Sequence, residues 1–257
     1  MPEDQKWIAE HIESRILRGK QWREELLEHA KLANDFRYVR ILGNGFRPVS
    51  ISVVNPCGHL NDKDGGEITY CPTLAEALEK AKSANRDEHE PGTDKPEHRV
   101  QAYLIREALR EGLRFHQAFQ GFGMEFDELI FVTDELNLEA GENKLRADMI
   151  AVGCKNGAFF PVFIELKNGR ELTTLKRQLN NANTMLWENV EARSMFAKFL
   201  NAVAGVEVDT SAKAKLMIIW PKSPSGNESP SVKEARRGFL IADFEPSYLF
   251  RALQEPV

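Results

Sequence analysis

Cysteine is scarce: Cys57, Cys71 and Cys154 are the three in 257 residues. They form no CxxC pair, and an odd number does not suit a disulfide framework, so the sequence points to a reducing, cytoplasmic setting. Long apolar runs are missing as well. No stretch approaches the roughly 18 consecutive apolar residues of a membrane-spanning helix. The first residues, Met1-Pro2-Glu3-Asp4, are acidic where a secretory signal is basic and then apolar. A surplus of positive charge is also lacking: 34 basic against 39 acidic side chains leave a formal net charge of −5. That balance excludes a small basic domain coating nucleic acid non-specifically, which needs excess Lys and Arg to displace counterions. A local basic face is still allowed.

What is present is ordinary for a folded chain, with 42% hydrophobic and 28% charged residues. The length suits one large domain or two modest ones. Residues 3–33 carry Trp7, Ile8, Ile12, Ile16, Leu17, Trp22, Leu26 and Leu27 at helical spacing. Residues 36–54 turn to short β-rich runs around Gly43-Asn44-Gly45, which reads as a hairpin. Residues 73–84 are helical again. The charged, breaker-rich stretch 85–95, with Pro91-Gly92, marks a domain boundary, giving an N-terminal α+β extension over 1–94 and a second domain over 95–257.

The second domain opens on a helix that Asp94 or Lys95 caps, with Pro96 in its first turn, running to about Arg110. Strands are expected at 129–132, 145–152 and 159–166, then one long helical segment over 171–204 and a buried strand at 216–220. A Pro/Ser-rich loop over 221–230, a strand at 239–244 and a short C-terminal helix follow. The order helix, three strands, helix, strand predicts an α/β (α+β) fold with a central mixed sheet: an antiparallel meander and then a parallel crossover.

The informative stretch lies between Lys144 and Lys167. Asn156-Gly157 is a strong signal for a two-residue type I′ hairpin turn in which Lys155 pairs with Ala158. That register sets Asp148 opposite Glu165. The two-residue period of a strand puts Phe163, Glu165 and Lys167 on one face, and groups Arg146, Asp148 and Ile150 on one face of the preceding strand. Like charges facing each other across a strand pair are destabilising and call for a cation. Lys167 is one candidate. A hard divalent ion such as Mg²⁺, commonly held by one or two carboxylates, fits better.

Asp148, with Glu165-Leu166-Lys167 seventeen residues later on a strand hairpin between helices, resembles the PD-(D/E)XK nuclease superfamily. The resemblance covers about residues 95–222. It implies a restriction-endonuclease-like core of order αβββαβ. It also implies a Mg²⁺-dependent nuclease, with Mn²⁺ as a substitute, acting on nucleic acid, DNA before RNA. Ala147 stands where the family's name has proline, and Ala182 where one subgroup has tyrosine. By the same resemblance Asp148, Glu165 and the Leu166 carbonyl are metal ligands, Lys167 is catalytic, and Glu97 is the acid of the first helix, which joins the metal set through water or at a second ion. Gln178 matches a glutamine of the following helix, with Arg170, Lys176 and Arg177 near it for phosphate contacts. At about 100° per residue Glu97 falls between Leu104 and Ala108 on the inward arc of its helix, whereas the competing Glu107 falls just outside it.

The alternative is a catalytically silent nuclease-like domain that serves as a nucleic-acid or protein interaction module. Residues 1–94 would then, or in the enzyme, recruit a partner, a second copy of the chain included. Cys57, His59 and Cys71 offer soft ligands without an evident fourth. Trp187, Phe196 and Phe199, at near-helical spacing, are expected in the core.

Overall fold

Asn156 and Gly157 turn the chain with φ of 53° and 77°, both positive, as a type I′ turn demands. The computed structural model describes residues 47–48, 59–61, 69–70, 101, 104–105, 108, 111–115, 126–140, 143–167, 172–223 and 225–244. Among these, three short strands, β1 (Arg47–Pro48), β2 (His59–Asn61) and β3 (Thr69–Tyr70), form an antiparallel sheet in that order. β1 therefore pairs with β2, with Arg47 opposite Asn61. The expected hairpin turn at Gly43-Asn44-Gly45 lies outside the described residues, as do the helices expected at 3–33 and 73–84, the stretch 85–95 and the C-terminal helix.

The main sheet has five strands in sequential order: β4 (Glu128–Ala140), β5 (Asn143–Lys155), β6 (Ala158–Leu166), β7 (Lys215–Pro221) and β8 (Leu240–Phe244). β4, β5 and β6 are antiparallel, whereas β6–β7 and β7–β8 are parallel. This is an α+β chain with a mixed sheet, and the antiparallel meander followed by a parallel crossover to β7 matches expectation; β8 adds a second parallel pairing. β4 and β5 are longer than the apolar runs suggested, because both strands continue past their apolar portions.

The segment 171–204 is not one helix but two, α1 (Thr173–Trp187) and α2 (Val190–Ala204). The break has a local cause. Asn189 is extended (φ −114°, ψ 105°) and its side-chain oxygen accepts the backbone N–H groups of Glu191 and Ala192, capping a new helix. Trp187 Nε1, donating to the Thr210 carbonyl at 3.1 Å, ties the end of α1 to the chain returning toward β7. Asn183 exchanges two bonds with the Ala214 backbone, both 3.1 Å, and so fixes where β7 begins. A short helix, α3 (Pro230–Ala235), ends the Pro/Ser-rich loop with Ser229 as its cap.

Phe163 on β6 packs edge-on against Trp187 (6.3 Å) and Phe196 (5.8 Å), so α1 and α2 cover the face that carries it. Trp187, Phe196 and Phe199 are core residues, as expected. From Pro161 to Leu166 every residue of β6 is buried, as are 216–220 of β7, the mark of strands covered on both faces. Leu104, Ile105 and Ala108 are helical and buried, as the pattern before Arg110 predicts, and Gln101 is helical and buried with them. Among the described residues no helix is long and apolar enough to cross a membrane.

Candidate functional site

The hairpin register is the expected one. Lys155 pairs with Ala158, Val152 with Pro161, Ile150 with Phe163 and Met149 with Ile164. Hydrogen-bonded and open pairs alternate outward from the turn, so Pro161, which has no N–H to give, falls at an open pair. Asp148 and Glu165 are the next residues beyond Met149 and Ile164. Here the ladder changes character: the N–H of Leu166 donates to Oδ2 of Asp148 at 2.7 Å. A side-chain carboxylate takes the backbone donor that the regular alternation would give to the carbonyl of Ala147. Asp148 is half-buried.

This bond orients Leu166. Its neighbour Lys167 donates its N–H the opposite way, to the Ile219 carbonyl of β7 at 2.9 Å. In an extended strand the N–H and C=O of one residue point to the same edge, so the Leu166 carbonyl shares the edge on which its N–H meets Asp148.

Glu165 is the single charged residue in the buried run 161–166 and is 3% exposed. Its Oε2 lies 3.1 Å from Nζ of Lys167, whose side chain is 31% exposed. The i, i+2 spacing puts both on the Phe163 face, as the strand period predicts. Burial of a carboxylate is costly without such a partner. Asp148, Glu165, Leu166 and Lys167 are thus brought together at the end of β6, where the chain leaves the sheet for α1.

Glu97, and its competitor Glu107, lie outside the described residues, and so do Cys57, Cys71 and Arg170. His59 stands on β2 opposite Tyr70. Gln178 lies in the second turn of α1, two positions after Lys176, which is half-buried, and one after Arg177, which is exposed. Among the described residues no three His, Cys, Asp or Glu side chains converge in the manner of a metal cage.

Two features escaped the sequence reading. Gln101, 2% exposed, donates from Nε2 to the backbone carbonyl of Asp148 at 2.6 Å. Its place on the inward stripe with Leu104, Ile105 and Ala108 was the available signal. On β4, Asp134 pairs with Met149 and Leu136 with Ala147, which leaves Glu135 at the register position facing Asp148. The irregularity between Phe131 and Thr133 causes this: without the extra residue, Asp134 would stand there. No pattern in the sequence marks that bulge.

Away from this point a charged cluster joins α3 to β8. Arg236 donates to Glu228 (2.8 Å), to Asp243 (2.5 Å) and to the Ile241 carbonyl (3.2 Å), while Trp220 Nε1 donates to Asp243 at 2.7 Å. Glu228 first, then Asp243, hold the guanidinium above its already high ordinary pKa, so it is charged at any working pH. Asp209, fully exposed, is held below the usual carboxylate value by its bonds to Ser211.

No family model matches the sequence, and no curated protein does. The chain is similar in structure to protein VC1899 from Vibrio cholerae, known from a crystal structure, at 12% identity and a TM-score of 0.23. The match spans 98% of this chain and 55% of that one, so this chain spans about half the length of that protein.

Proposed function

We propose that the chain is a metal-dependent phosphodiester hydrolase of the PD-(D/E)XK type, acting on nucleic acid, DNA in preference to RNA. The observation that carries this reading is the Asp148 carboxylate bonded to the N–H of Leu166, between Glu165 and Lys167. The order of elements supports it: the helical residues Gln101, Leu104, Ile105 and Ala108, three antiparallel strands, helices, then a parallel strand. In this reading the five-stranded sheet is a restriction-endonuclease-like core with one helix and one strand added.

The donor set suits Mg²⁺ or Mn²⁺. Two carboxylates, Asp148 and Glu165, and the Leu166 carbonyl are hard oxygens at one strand end, the ligand type these ions select. Bound there, the ion would lower the pKa of a coordinated water and neutralise charge on the phosphate. Lys167 holds a compact positive charge beside Glu165, where it orients the attacking water and stabilises charge developing on phosphorus oxygens. Glu97 would complete the acidic set from the first helix. Lys176, Arg177 and Gln178, early in α1, would position the phosphate backbone. Cutting both strands of a duplex favours a homodimer, for which residues 1–94 offer a contact region.

One observation favours the silent-module reading. The Lys167–Glu165 ion pair already compensates the buried carboxylate, and a binding domain would need no more. Circular single-stranded and supercoiled double-stranded DNA, incubated with the protein and Mg²⁺ or Mn²⁺, separates the two. Nicking that EDTA abolishes, and that is lost in Asp148→Asn and Lys167→Met, supports the hydrolase. Absence of cleavage, with both folded variants binding the same DNA as the unaltered chain, supports the module.

A further inference from the structure

Gln101, Leu104, Ile105 and Ala108 are spaced to share one helix face, and all four are buried. Three are apolar. The fourth carries a primary amide, which is costly to bury unless it is hydrogen-bonded. Gln101 meets that cost with a long-range bond: its Nε2 donates to the carbonyl oxygen of Asp148, 47 positions along the chain, at 2.6 Å. Asp148 is therefore fixed twice, its backbone by Gln101 and its carboxylate by the N–H of Leu166.

The two bonds meet on one residue. Counted from the turn, Asp148 and Glu165 form an open pair, so the Asp148 carbonyl points away from β6 and gains nothing from that strand. On the other side β5 is paired with β4 to either side of Asp148, Ala147 with Leu136 and Met149 with Asp134, and the Gln101 bond adds a restraint from the helix on the peptide that carries the carboxylate. A shift of well under 1 Å would lengthen the 2.7 Å contact beyond a strong charge-assisted bond. We propose that Gln101 is a positioning residue for the Asp148 carboxylate, fixing the peptide from which that group projects toward Leu166 and Glu165. Its catalytic consequence rests on the hydrolase reading above; the positioning itself does not.

The test uses the full chain with Gln101→Met, which keeps the length of the side chain and removes the donor. Hydrogen exchange read residue by residue should show the Leu166 amide exchanging about tenfold faster, with Val162 and Ile218 unchanged. In cleavage assays the midpoint for Mg²⁺ should rise several-fold while KM for DNA stays put, a split that simple loss of stability would not give. An unchanged Leu166 exchange rate in the folded variant overturns the proposal. If Gln101→Met does not fold, the unaltered protein decides: a ¹⁵N–¹³C′ coupling through the hydrogen bond from the Gln101 amide to the Asp148 carbonyl supports it, and its absence overturns it. A chain that cleaves nothing while Leu166 exchange responds would sink the hydrolase reading and leave the positioning role standing.

Discussion

Lys167→Met should destabilise the chain more than Glu165→Gln does, although both remove the same ion pair. The asymmetry comes from where the two ends sit. Glu165 is 3% exposed, whereas the Lys167 side chain is 31% exposed. Removing the lysine takes away a positive charge that lies 3.1 Å from a buried carboxylate. Breaking a fully buried pair in this way costs about 3–5 kcal/mol, and the partial exposure of Lys167 brings the expectation to about 2–3 kcal/mol. Removing the glutamate charge instead leaves a lysine that can turn to solvent, and a neutral amide in the carboxylate's place should cost about 1 kcal/mol or less. Urea unfolding in EDTA, with both variants and the unaltered chain, measures the two values. Mg²⁺ adds a second readout. If Glu165 and Asp148 hold the ion, then Mg²⁺ at about ten times its Kd returns about 1.4 kcal/mol to Lys167→Met. It should return nothing comparable to the double variant Lys167→Met/Asp148→Asn. Equal losses for Lys167→Met and Glu165→Gln would refute the burial argument, and equal Mg²⁺ responses in the single and double variants would refute the ligand assignment.

Two glycines of the same hairpin should respond for different reasons. A Cβ on Gly153 would lie 2.9 Å from Phe160 and 3.1 Å from both Phe126 and Val162, so Gly153→Ala should cost about 1–3 kcal/mol of stability by overpacking. Gly157 has open space and a φ of 77°, so Gly157→Ala should cost about 1–2 kcal/mol through the backbone alone. A smaller side chain at Phe160 should rescue the first and not the second, as thermal denaturation would show. Asn189→Ala removes the cap between α1 and α2 and should cost about 1 kcal/mol by chemical denaturation, softened because Asn189 Nδ2 is buried without a partner. Asp209 should titrate by NMR below its ordinary value and return toward it in Ser211→Gly, which leaves the Ser211 backbone N–H but removes the hydroxyl. Because its folded pKa is depressed, its small contribution to stability is present above the unfolded pKa and fades as pH falls through the folded one.

The hairpin could be read from sequence because its information is local. Asn156-Gly157 admits one turn type, the turn fixes the pairing of Lys155 with Ala158, and the two-residue period carries that register to Met149 and Ile164 without further help. The side chains of Glu165 and Lys167 followed from the same period. The split between α1 and α2 was harder to see, since Asn189 acts as a cap only because it leaves the helical region, and periodicity continues across it. What was illegible depended on contacts between distant segments. Gln101 reaches a carbonyl 47 positions away, and the bulge at Phe131/Thr133 changes which acidic residue of β4 faces Asp148. Such features obey no period, because they answer to the shape of a neighbouring element. The motif therefore says which residues carry charge at the end of β6. Gln101 and the register of β4 act on the same point of β5, so, if these residues hold a metal ion as proposed, variants there should alter its binding while leaving every motif residue in place.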